Sequence, residues 1–226
     1  MREALVLMAK APVEGTVKTR LIGKFTPAEA TELYINFLCD TFALMEDVWY
    51  EREDLSLVLG YTPEGEEEAF EQVEREGCLM LSQRGENLGE RLEHCFAELF
   101  GAGFERVVAI GADSPTLPAE YLFEAFERLS DDGVAVLGPT EDGGFYAIGL
   151  RRLRPGLLAG IPWSTERVFP AVEARLREMG LRPAHLPAHF DVDTPDDLAR
   201  LEATFAVERE AAPRTRRYLK AWSKRD

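Results

Sequence analysis

Leu5-Val6-Leu7-Met8 is an unbroken apolar run near the start of the chain, the pattern of a strand buried on both faces. A polar loop containing Gly and Pro follows from Lys10 to Phe25. Thr26-Pro27-Ala28-Glu29 then opens a long helix, predicted to run to about Val48. Thr caps it, Pro suits its first turn, and Glu closes a capping box. Leu55 to Tyr61 predicts a second strand, Pro63 to Glu76 an acidic helix, and Leu79-Met80-Leu81 a short third strand. From Leu88 to Phe100 the apolar positions Leu88, Leu92, Cys95, Phe96 and Leu99 fall on one helical face. Val107 to Ile110 is another buried strand, ending at Gly111-Ala112-Asp113-Ser114-Pro115, and a helix follows from Pro118 to Leu129. Val134 to Leu137 and Phe145 to Gly149 are two strands joined by a turn through Asp142-Gly143-Gly144. Helices are predicted over Val168 to Met179, from a capped start at Thr194 to about Phe205, and over roughly Arg209 to Trp222.

Strands alternating with helices imply a mostly parallel sheet covered on both faces. The expectation is one three-layer α/β/α domain over residues 1–226, in which 207–226 form a basic helical extension. In such open sheets, ligands bind beyond the carboxyl ends of the strands.

Composition narrows the partners. The chain has 226 residues, 46% apolar and 30% charged, with a net charge of −15. That charge argues against nucleic acid, whose phosphates need a positive footprint, and against an anionic membrane surface. A small phosphate-bearing ligand needs only a few local cations and stays open. The charge is uneven: Glu46 to Glu76 carries a net −10 and Arg209 to Asp226 a net +5. The basic tail can dock on the chain's own acidic region or on a second subunit, so a homodimer stays open. Cys39, Cys78 and Cys95 are odd in number and form no CxxC, which points to a reducing cytoplasm. No segment reaches transmembrane length.

Several polar segments interrupt this pattern. The loop after the first strand holds Lys10, Gly15, Lys18 and Arg20, cations and a glycine able to wrap a diphosphate, yet without a Walker A or GxGxxG pattern. A solvated surface loop explains it equally well. Asp113 ends a buried strand, where a carboxylate can hold a hard cation or merely cap a turn. Asp191 and Asp193 lie at period two before a helix, suited to completing a metal site with Asp113 or to helix capping. Glu141 and Asp142 stand beside two glycines, where a hydroxyl-bearing acceptor can approach and lose a proton, although a hairpin turn also accounts for Asp142-Gly143. Gln83 to Arg91, including Gly85, can read a base or ribose, or serve as a helix cap through Asn87. Trp163 can stack on a ring or pack in the core. HExxH and GxSxG are absent.

Taken in order, Leu7-Met8-Ala9-Lys10-Ala11-Pro12, Val17-Lys18-Thr19-Arg20-Leu21, Gly111-Ala112-Asp113-Ser114-Pro115, Leu137 to Tyr146, Ile161-Pro162-Trp163-Ser164-Thr165 and Asp191-Val192-Asp193-Thr194-Pro195 resemble the bacterial DUF2064 family. That family is related to GT-A-type glycosyltransferases, within the nucleotide-diphospho-sugar transferase superfamily. The resemblance covers roughly residues 4 to 201. Ser114 stands where Cys is common and Phe145 where Tyr is common, neither expected to touch the metal or phosphate groups.

The resemblance implies a Rossmann-like, GT-A-like sheet, a nucleotide or nucleotide-sugar donor, a small-molecule acceptor, and Mg²⁺ or Mn²⁺. Some family members are labelled glycosyltransferases, including ones assigned to arsenosugar synthesis. Related phospholactate guanylyltransferases and molybdenum cofactor nucleotidyltransferases move a nucleotidyl group instead. The expected function is therefore glycosyl transfer from a nucleotide-sugar, with nucleotidyl transfer releasing pyrophosphate as the alternative and a noncatalytic nucleotide-binding protein as a third. Lys10, Gly15, Lys18, Arg20, Gln83 and Gly85 would bind the nucleotide and its phosphates. Asp113, Asp191 and Asp193 would hold the metal, and Glu141 or Asp142 would act on the acceptor.

Overall fold

The computed structural model describes residues 1–73 and 77–224. Its centre is a seven-stranded sheet in the order β3-β2-β1-β4-β6-β5-β7. The strands are β1 (Glu3–Lys10), β2 (Leu55–Thr62), β3 (Leu79–Ser82), β4 (Arg106–Gly111), β5 (Val134–Pro139), β6 (Phe145–Leu150) and β7 (Arg182–His185). Only β6 runs antiparallel to its neighbours, because the short turn at 140–144 returns the chain beside β5. The helices are α1 (Pro27–Tyr50), α2 (Leu88–Gly101), α3 (Ala119–Arg128), α4 (Val168–Glu178), α5 (Pro195–Val207) and α6 (Pro213–Trp222). The α/β class and the mostly parallel sheet agree with the sequence pattern.

β1 shows why the run Leu5-Val6-Leu7 is apolar throughout. It pairs with β2 on one side and β4 on the other, and successive side chains enter different cores. Leu5 and Leu7 pack with Phe42 of α1 and Phe126 of α3, whereas Ala4 and Val6 pack with Phe96 of α2 and Val172 of α4. A third cluster lies beside the sheet, where Leu21 and Phe25 meet Leu33 and Phe37 of α1, Leu201 of α5 and Leu219 of α6.

α1 begins with the expected capping box at Thr26 and Glu29, and α5 with another at Thr194 and Asp197. The basic tail docks on its own chain. The Asp40 carboxylate accepts the backbone N–H groups of Arg214 and Thr215 at 3.0 and 2.8 Å. Tyr218 donates its hydroxyl to the Glu29 carbonyl, and the Trp222 indole N–H reaches the Glu29 carboxylate. Its docking site is thus α1, not the acidic Glu46–Glu76 block, because α6 buries an apolar face that the third cluster receives.

Two elements differ from the sequence pattern. The acidic helix over Pro63 to Glu76 is instead a single 3₁₀ turn, Glu67–Phe70, with 74–76 outside the described residues. Glutamates at three- and four-residue spacing repel along a helix, and Gly65 adopts φ +90°. β7 has no strand-like signature, since Arg-Pro-Ala-His is polar at both ends and carries Pro183, which a sheet tolerates at its edge.

β1 and β4 pair in parallel at the point where strand order reverses, so the loops leaving their carboxyl ends diverge around a crevice. Lys10 stands opposite Thr62, and Met8 opposite Gly111, which brings three loops out at the same edge.

Candidate active site

The loop leaving β1 descends toward this crevice and turns at Lys18, whose φ of 47° is left-handed. That turn sends the Lys18 side chain inward, leaving it only 2% exposed. A buried ammonium needs partners, and three oxygens supply them. Nζ lies 2.5 Å from Asp113 Oδ1 and 3.0 Å from Asp193 Oδ1, and donates to the Val192 carbonyl at 2.8 Å. Burial alone would depress the lysine, but the two carboxylates outweigh it and hold its pKa above the ordinary value. The Val192 N–H donates to the Asp113 carbonyl at 2.8 Å, fixing the 191–193 segment against the end of β4.

Asp113 and Asp193 are each about 43% and 42% exposed on their side chains, so both also face solvent. They open into a cleft of about 280 Å³ that Lys10, Thr16, Tyr34, Gln83 and Arg91 line as well. Lys10 is exposed, with Nζ 2.9 Å from the Thr16 carbonyl. Gln83 is buried and ties two strands together, its amide donating to the carbonyls of Ala9 at 3.2 Å and Gly60 at 2.7 Å. Arg91 donates through Nε to the Gly85 carbonyl at the mouth of the same cleft.

A second cleft, about 230 Å³, lies on the other side of Asp193. Arg20, Glu141, Asp142, Asp191 and Arg200 line it. The Arg200 guanidinium forks onto Glu141 at 2.5 and 2.7 Å and lies over the Phe190 ring at 4.1 Å. That fork holds the Glu141 carboxyl below its ordinary range. Asp142 accepts from the Thr140 hydroxyl at 2.5 Å and the Gly144 N–H at 3.0 Å, the local pattern of a turn. Behind this cleft His189 sits 3.2 Å from Thr116 Oγ1, pushed down to about 4 by burial and then by the Arg200 charge.

The expected residues therefore divide. Lys10, Lys18, Gln83, Asp113 and Asp193 meet at the first cleft. Arg20 does not join them: two residues past the Lys18 turn, it lines the second cleft. Gly15 forms a turn at φ +74° and Gly85 packs on α2, where a Cβ would come within 2.4 Å of Glu90, and neither lines either cleft. The three aspartates do not form a common ligand set; among the described residues no group of three or more His, Cys, Asp or Glu does. Asp191 turns instead to Ser114, whose hydroxyl donates to it at 2.5 Å, and burial raises its pKa to about 7. Ser114 thus touches one of the expected metal residues, contrary to the sequence reading. Trp163 packs edge-on against Phe145 and closely over Gly89, while Asn87 caps α2. Tyr34 and Arg91 in the first cleft and Arg200 in the second carried no assigned role in the sequence. Arg91 lies within the noted polar segment, but Arg200 meets Glu141 across 59 positions, which spacing does not reveal.

The remaining donor set fits a divalent cation. Two carboxylate oxygens from separate segments converge on one positive centre, and Mg²⁺ is commonly held by one or two carboxylates together with substrate phosphates. Asp113 and Asp193 are the residues that could hold such an ion.

The family model for uncharacterized proteins conserved in bacteria (DUF2064) matches residues 47–165, more than half of the chain. The chain belongs to the DUF2064 family. A curated relative, the phosphoenolpyruvate guanylyltransferase of Sphaerobacter thermophilus, is 26% identical over 205 residues, spanning 87% of this DUF2064 chain and 93% of the relative. The solved structure of a provisionally assigned nucleotide-diphospho-sugar transferase from Desulfovibrio desulfuricans G20 is 30% identical, with a TM-score of 0.85 over 98% of this chain and 95% of that one. A manganese complex of the Rv0371C protein of Mycobacterium tuberculosis H37Rv shares the fold, with a TM-score of 0.50 at 18% identity over 89% and 98% of the two chains. Among the described residues of this DUF2064 protein, no helix is long and apolar enough to cross a membrane.

Proposed function

We propose that this transferase moves a nucleotidyl group from a nucleoside triphosphate to a small acceptor, releasing pyrophosphate. The observation that carries this reading is the pairing of both acids beside the glycine turn. Glu141 is forked by Arg200 and Asp142 is spent on its own turn, so neither is poised to take a proton from a hydroxyl. An acceptor phosphate or carboxylate is already a nucleophile and needs no base. The relationship to a guanylyltransferase supports the same chemistry.

In this reading the first cleft binds the triphosphate. Lys10 and Arg91 face its oxygens, and Tyr34 and Gln83 complete the wall. Asp113 and Asp193 hold Mg²⁺ or Mn²⁺, which when bound offsets the negative charge that grows on the departing pyrophosphate. Lys18 keeps these two carboxylates convergent and adds a fixed positive charge beneath the phosphates. The acceptor enters from the second cleft, which shares Asp193 with the first.

Glycosyl transfer from a nucleotide-sugar is the second reading, favoured by the 0.85 TM-score to a nucleotide-diphospho-sugar transferase fold at 30% identity. The two separate by product. With Mg²⁺ or Mn²⁺ and a panel of acceptors, nucleoside triphosphates yield pyrophosphate under the first reading, whereas nucleotide-sugars yield a nucleoside diphosphate under the second. Donor binding with neither product overturns both and leaves a nucleotide-binding protein.

A further inference from the structure

The second cleft has an uneven charge arrangement. Five carboxylates reach it, yet every one is engaged: Glu141 by Arg200, Asp142 by Thr140 and Gly144, Asp191 by Ser114, Asp193 by Lys18, and Asp197 by the capping box at Thr194. Arg200 is likewise consumed, forked on Glu141 and stacked on Phe190. Arg20 is exposed and, among the described residues, makes no hydrogen bond or ion pair. It is the one charged side chain lining this cleft, among the described residues, with its five donors still unused.

We infer that Arg20 is the anchor for an anionic acceptor, a small molecule bearing a phosphate or carboxylate, seated in the second cleft. The inference rests on the nucleotidyl-transfer reading and gives it a substrate class. Arg suits this task because its planar fork matches either oxyanion bidentately. The cleft, about 230 Å³, has room for a molecule of a few heavy atoms, not a polymer. The geometry also separates two neighbouring cations by role. Lys18 points inward to the carboxylates at the donor cleft, and two residues later Arg20 points to the acceptor side. In the transfer, an acceptor oxygen forms a bond to the α-phosphorus, the bond from that phosphorus to the bridging oxygen breaks, and pyrophosphate leaves with the electron pair. No proton moves between heavy atoms, so no base is required.

The test uses the full chain with 3-phosphoglycerate as anionic probe and glycerol as its neutral counterpart, in wild type, Arg20→Ala and Arg20→Lys. Calorimetry without donor reads probe binding, and pyrophosphate release with Mg²⁺ reads transfer. The expected result is that Arg20→Ala weakens 3-phosphoglycerate binding about tenfold or more, as for one lost charge-assisted contact. Donor KM stays unchanged, Arg20→Lys recovers part of the affinity, and glycerol binds no variant. Equal 3-phosphoglycerate affinity in wild type and Arg20→Ala overturns the inference, as does a loss confined to donor KM. The two failures are distinguishable. Pyrophosphate release with unchanged probe affinity removes the Arg20 anchor and leaves nucleotidyl transfer standing. Arg20-dependent probe binding with only a nucleoside diphosphate product removes nucleotidyl transfer and leaves the anchor standing.

Discussion

In the first cleft two carboxylates, one from the loop after β4 and one from the segment before α5, meet on a lysine that is almost wholly buried. In the second cleft the charged groups pair off, Glu141 with Arg200, Asp142 with its own turn, Asp197 with a helix cap. Convergence requires several distant segments to be held against electrostatic or desolvation cost, which a protein sustains where charge must be placed for binding or chemistry. Pairing satisfies each group locally and leaves an open surface. The difference teaches that acidic residues beside a turn are not equivalent to acidic residues around a shared cation, even when their sequence settings look alike.

The comparison breaks first at Asp113. Asp113→Asn removes one of the two convergent charges, and we expect kcat/KM to fall by at least about a hundredfold, measured as product release across a Mg²⁺ and Mn²⁺ titration. Activity within a few-fold of wild type would end the distinction between the clefts. Next comes Lys18→Met, which leaves Asp113 and Asp193 facing each other without their common partner. Donor affinity should fall by about tenfold or more, and calorimetry with a nucleoside triphosphate reads it.

A smaller effect lies behind the second cleft. His189 is held near 4 by burial and by Arg200, below its ordinary 6.5. The unfolded chain thus binds the proton more readily between these values, so stability rises with pH from about 4 to about 6.5 and is lost on acidification through that window. In His189→Gln, thermal unfolding followed across this range should show a shallower dependence; an unchanged slope would clear His189 of the effect. The smallest expected change is at Glu141. Glu141→Gln breaks an exposed pair worth about 0–1 kcal/mol, so stability barely moves and kcat stays within about tenfold. A loss beyond a hundredfold with the fold intact would make Glu141 a base and favour glycosyl transfer.

Much of this architecture was legible because it rests on local signals. The run Leu5-Val6-Leu7, the caps at Thr26 and Thr194, and the turn at Asp142-Gly143 each depend on residues a few positions apart. The first cleft was legible in its cast, Lys10, Lys18, Asp113 and Asp193, but not in its arrangement. Nothing in the order of the chain says that Lys18 faces the aspartates or that Arg20 turns away, since a left-handed backbone at a lysine has no signature. Asp191 looked equivalent to Asp193 because period two puts them on one side of an extended segment; burial beside Ser114 separates them. Arg200 was hidden because its partner Glu141, 59 positions away, is set by how elements pack and not by spacing.

Lys18 is bound to residues 95 and 175 positions away, and the turn that follows it packs on helices from the end of the chain. A chain is synthesised from its amino terminus and its domains fold as units. The loop that emerges almost first therefore receives its last partners almost at the end, when the segment at 191–193 and then α6 leave the ribosome. Until that moment its lysine stays hydrated and the aspartates stay apart. A chain cut short before Asp191 lacks one of the two carboxylates that meet Lys18, so its first cleft is left incomplete.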